Sequence, residues 1–137
     1  MNKSIKVKTN TKREVVPYVE LWDVANFLYY NGKEKDDGQN FKYMASLVFQ
    51  AFTFEAYLNH IGPKLFKSWD NLEKLGPIDK LNIIAEKLNV KVDIGACPWQ
   101  SINELFKYRN FIVHGKSMTI EDDKIIPVDI GSHDEVY

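Results

Sequence analysis

The chain is poor in the features that usually declare a function. It has one cysteine, Cys97, so no intrachain disulfide can form and a reducing cytoplasm is the expected location. It contains no run of roughly 18 consecutive apolar residues, the length a membrane-spanning helix requires, which excludes an integral membrane protein. The opening Met1-Asn2-Lys3-Ser4-Ile5-Lys6 leads into no apolar stretch of signal-peptide character, so export is not expected either. The net charge is −1, which removes any global basic field; a polyanion would have to be held by a local cluster. The three histidines, His60, His114 and His133, stand apart with no cysteine or carboxylate at ligand spacing, so neither a metal nor another cofactor is expected. There is no glycine-rich phosphate loop, Ser-His-Asp arrangement, nucleotidyltransferase signature, internal repeat or low-complexity tract.

What is present reads as one mainly α-helical globular domain. The 137 residues suffice for one core, and 45% hydrophobic with 27% charged residues lies far from the composition of disorder. Residues 1–16 carry Lys3, Lys6, Lys8, Lys12 and Arg13, with Ile5 and Val7 alternating with lysines, and read as a solvated arm or an edge strand. Residues 17–116 hold the helical pattern. A first helix is expected after Pro17, with Leu21, Val24, Phe27 and Leu28 on one stripe, ending in the charged turn Asn31 to Gly38. The central helix is expected from Gln39 to Ile61, broken by Gly62-Pro63. A short turn around Lys64 to Trp69 precedes Gly76-Pro77, and Ile78, Leu81, Ile84, Ala85 and Leu88 mark another helix with Asp79 in its first turn. Pro98 suits the first position of a last helix running to about His114, with Gly115 as a left-handed cap. Residues 117–137 read as a short β-hairpin, Met118 to Ile120 and Ile125 to Val128, with a tail. The expected architecture is thus a bundle of four to five helices with a small C-terminal hairpin.

The chemically pointed segment is Arg109-Asn110-Phe111-Ile112-Val113-His114. Ile102, Leu105, Phe106, Arg109, Ile112 and Val113 follow the spacing of one helix face, so Arg109 falls inside an apolar stripe. A guanidinium keeps its charge, and there it must reach water, pair with a carboxylate, or face a cleft where an anion is expected. Glu55, on the central helix, is the obvious partner, or else it lies on the solvent side of that helix. Arg109 and His114 are five residues apart, about 140° around an ideal helix, so one copy of the helix does not aim both at one atom. Either the helix end opens at Gly115, or two copies of the helix build the site together in a symmetric dimer.

The stretch Tyr108 to Lys116 resembles the Arg-polar-x-x-x-His motif of the HEPN superfamily (higher eukaryotes and prokaryotes nucleotide-binding domain), and Ala51 to Asn59 resembles the long HEPN helix that packs against the motif helix. The resemblance covers roughly residues 17–116. It implies a metal-independent endoribonuclease of the kind found in toxin–antitoxin and phage-defence systems, acting on RNA at a composite site in a homodimer. Arg109 and His114 would then be the catalytic pair and Asn110 would position them or the RNA, with Glu55 orienting Arg109 and Lys107 and Lys116 contacting substrate. An antitoxin or other protein partner is implied as well. Some HEPN toxins carry, two residues beyond the histidine, a tyrosine that a cognate nucleotidyltransferase modifies; Lys116 stands there in this chain, and the resemblance does not extend to that pairing.

The residue types suit the reaction. An imidazole moves protons near neutral pH, and an arginine holds a phosphate bidentately while charge develops on it. Two other readings stand beside this one: a non-catalytic HEPN-like module that binds RNA or a protein, and a purely structural domain in which Arg109 pairs with Glu55 and His114 caps its helix. His60 reads as structural and His133 as exposed. Lys64 and Lys67 could join Lys107 and Lys116 in a phosphate-binding patch, although solvated surface lysines are commoner. Trp22, Trp69 and Trp99 read as core or interface anchors rather than base-stacking platforms.

Overall fold

The computed structural model describes residues 6–34, 36–117 and 119, and within them every regular element is a helix. The chain runs α1 (Pro17–Gly32), α2 (Gln39–Leu65), α3 (Trp69–Leu72), α4 (Pro77–Lys87) and α5 (Trp99–Val113). None of these helices is long and apolar enough to cross a membrane. The expected C-terminal hairpin falls almost wholly outside the described residues. Residues 6–15 are exposed and Val16 is half-buried, and 6–16 form no strand.

α1 and α2 form an antiparallel pair, and small residues let them approach closely. Gly32 lies where a Cβ would come within 2.8 Å of the Tyr43 ring, Ala25 is fully buried, and the buried Ser46 hydroxyl donates to the Ala25 carbonyl at 2.8 Å. Gln50 in turn donates to the Ser46 oxygen, so this buried hydroxyl has both a donor and an acceptor as partners. At the far end Tyr18 packs edge-on against Tyr57, their rings 5.3 Å apart.

The main core lies under the other half of α2. Leu58, Trp69, Leu81 and Ile84 are buried together, and Phe54, Ile61, Leu65, Phe66, Leu72, Trp99 and Ile102 pack around them. This explains why α2 passes through Gly62-Pro63 where the sequence predicts a break. Pro63 sits within the last turn, where its missing N–H costs one hydrogen bond, and Ile61 and Leu65 on either side are both packed on the core. Gly62 is buried beneath the indole of Trp69, where any side chain would collide with the ring. Glycine is required there by close approach and not by chain reversal.

Two helix ends also differ from expectation. Pro98 is the residue preceding α5, not its first. Gly115 takes no left-handed conformation: α5 ends at Val113 with His114 as its cap, and no described glycine has a positive φ. A Cβ at Gly115 would stand 2.7 Å from the Phe111 carbonyl oxygen, so the absent side chain lets the departing chain cross the helix end.

Gly62→Ala should cost about 3 kcal/mol of stability by overpacking, read as a lower urea midpoint with an unchanged slope; a wild-type midpoint would mean that the Trp69 indole moves freely. A smaller effect belongs to the α1–α2 turn, where Asp36 accepts hydrogen bonds from Lys42 and from the Gly38 N–H. The Lys42 hydrogen bond, aided by its charge, holds the Asp36 carboxyl below its usual value of 3.8. A lowered folded value gives stability present above the unfolded pKa and lost as pH falls through the folded one. Asp36→Asn should therefore lower Tm slightly near neutral pH, and the difference should close below about pH 4.

Candidate functional site

Arg109 lies where the apolar face of α5 meets α2. Phe106, one turn earlier, is buried with its ring 5.9 Å from that of Phe54, and the Arg109 guanidinium carbon stands 5.7 Å from the Phe106 ring centroid. The side chain is 15% exposed, and its Nη2 donates to Glu55 Oε2 at 3.0 Å. The partnership anticipated for Glu55 is therefore present. Arg109 Nε is buried with no partner among the described residues.

Glu55 has a second cation that sequence reasoning missed. Lys80 Nζ lies 3.6 Å from Glu55 Oε1, and the lysine side chain is only 3% exposed. One carboxylate thus serves two cations, one on each oxygen, and ties α2 to α4 and α5. Lys80 had been hidden by its type, since lysines are seldom buried. The available signal was its place in α4: Leu81, Ile84 and Ala85 are buried, and Lys80 stands four residues before Ile84, on the same inward side.

The other residues of the motif are not brought to this cluster. Asn110 is exposed. His114 is exposed at the end of α5, its backbone N–H donating to the Asn110 carbonyl at 2.9 Å, and no hydrogen bond joins its ring to Arg109 among the described residues. Lys107 is exposed and paired with Glu104 at 2.8 Å on its own helix, and Lys116 is exposed beyond the helix end. Lys64 approaches His60 within 2.7 Å, and the His60 ring packs beside Tyr18. Among the described residues no group of histidine, cysteine and carboxylate side chains has metal-binding geometry.

The apolar end of α5 also outruns the core. Phe106 is buried, but Phe111, Ile112 and Val113 are 50%, 36% and 52% exposed. Next to α5, a groove of about 450 Å³ runs along α2, walled by Tyr18, Val19 and Trp22 on one side and Leu105 on the other, over Phe54 and Tyr57. Of the three tryptophans, Trp69 is a core residue, Trp99 packs on the core and the half-exposed Trp22 lines this groove.

Searches against protein-family models, curated proteins and solved structures found no match to this chain.

The shared carboxylate makes the single substitutions unequal. Arg109→Met leaves Glu55 paired with Lys80 and should cost about 1 kcal/mol, whereas Glu55→Gln strands two largely buried cations and should cost about 3 kcal/mol, the low end for a broken buried pair because Glu55 keeps some water contact. Urea denaturation of both variants checks the order, and equal losses would deny the shared role of Glu55.

Proposed function

We propose that this protein is a metal-independent endoribonuclease of HEPN type, acting as a homodimer in which Arg109 and His114 from both copies line one cleft. The observation that carries the reading is the division of the motif between two environments. Arg109 is held in a largely buried ion cluster, while His114 lies in solvent at the helix end, beside an uncovered apolar turn. Phe111, Ile112 and Val113 are suited to being covered by a second copy of the same helix, which would carry its own His114 toward the pair.

In such a site one imidazole removes the proton from a ribose 2′-hydroxyl, and the freed oxygen attacks the adjacent phosphorus. The P–O5′ bond breaks, and the second imidazole returns a proton to the departing 5′-oxygen. Atoms balance without water or metal, and the products are a 2′,3′-cyclic phosphate and a 5′-hydroxyl. Arg109 holds the non-bridging oxygens as negative charge grows on them, Asn110 positions the strand, and Lys107 and Lys116 meet flanking phosphates. A role in a toxin–antitoxin or phage-defence system, with a protein antitoxin as partner, belongs to the same proposal.

A second reading, a HEPN-like module that binds RNA or a protein without cutting, is favoured by the absence of contact between His114 and Arg109 within one chain. The two are separated by incubating purified protein with end-labelled RNA in excess EDTA. Cleavage to cyclic-phosphate ends, with kcat reduced about 10²- to 10⁴-fold in Arg109→Ala and in His114→Ala while each stays folded, supports the nuclease. Retained RNA binding with no cleavage supports the module. Sedimentation of Phe111→Asp beside wild type tests the dimer: a charge at a buried seam should yield monomers, and an unchanged dimer would place the seam elsewhere.

A further inference from the structure

We infer that Lys80 is a positioning residue for Arg109, and that it makes the Glu55 cluster an anion-attracting site instead of a neutral ion pair. The inference rests on the reading of Arg109 as the group that holds phosphate.

Charge counting comes first. Lys80 and Arg109 bring two positive charges to the one carboxylate of Glu55, so the cluster carries one uncompensated positive charge. With Arg109 and Glu55 alone it would carry none, and an arriving phosphate would meet a guanidinium already neutralised. With Lys80 behind the carboxylate, Glu55 is drawn from both sides, and Arg109 keeps part of its field for a third party.

Stability does not account for Lys80 well. Its side chain is 3% exposed, so its ammonium is largely stripped of water, and the Glu55 oxygen at 3.6 Å lies beyond good hydrogen-bond length. It also occupies the first turn of α4, its N–H bonded to the Gly76 carbonyl at 3.0 Å, where the helix dipole disfavours a cation. An apolar residue of similar length would fill the same space beside Leu81 and Ile84 at no such cost, because buried ion pairs are often replaced by apolar side chains without loss. A cation retained there acts on its neighbours' charge.

Arg109 supplies the reporter. Its Nε is buried without a partner among the described residues, so the Nε–H resonance is sensitive to any anion that engages the guanidinium. The experiment titrates the full-length protein with inorganic phosphate while following that resonance by ¹⁵N NMR, assigned by its loss in Arg109→Lys. Wild type should show a saturable shift, weakened about ten-fold in Lys80→Met, a variant that keeps its fold. Lys80→Gln serves as a second neutral variant. No response in wild type, an equal response in a folded neutral variant, or failure of both variants to fold overturns the inference. The nuclease reading is judged separately by cleavage. A protein whose Arg109 answers phosphate through Lys80 yet cuts no RNA loses that reading and keeps this one; RNA cleavage with a phosphate response indifferent to Lys80 does the reverse.

Discussion

One carboxylate governs the geometry of this protein's motif. Glu55 projects from the middle of α2 and takes Arg109 from α5 on one oxygen and Lys80 from α4 on the other. Remove it in thought and two cations lie against the hydrophobic core, one of them almost fully shielded from water. Leaving either charge against the core without its partner is costly. The angle at which α4 and α5 approach α2 is therefore constrained by charge as well as by packing. Phe54 and Leu58, on either side of Glu55 along α2, make the apolar half of the same junction through Phe106, Leu81 and Ile84.

Much of this was legible in the sequence, and what escaped is instructive. The periodicity of Leu47, Ala51, Phe54 and Leu58 marks the long helix, and the place of Arg109 in an apolar stripe shows that it needs a partner, for which Glu55 is the obvious candidate. Both inferences use the helix repeat alone, and the repeat holds wherever a helix packs on one face. The break expected at Gly62-Pro63 was not found, because glycine and proline end helices only when nothing compensates. Here the Trp69 indole occupies the space a side chain would take, and Ile61 and Leu65 carry the helix one turn further over the core. Gly115 was expected for its conformational freedom and is needed instead for its lack of bulk near the Phe111 carbonyl. In both cases the residue type was informative and the mechanism was tertiary. Lys80 was overlooked because composition speaks against burying lysine, and nothing in α4 alone discloses that Glu55 waits opposite it.

The helix repeat also bears on what a single chain can do. Five residues separate Arg109 from His114, and the two side chains lie in environments that match their angular separation: one enclosed between helices, the other in water at a helix end. Under the proposed reading, the group that joins Arg109 on one phosphate is supplied by a second copy of the chain. Phe111, Ile112 and Val113, all partly exposed, lie in the same final turn of α5 as the approach to His114.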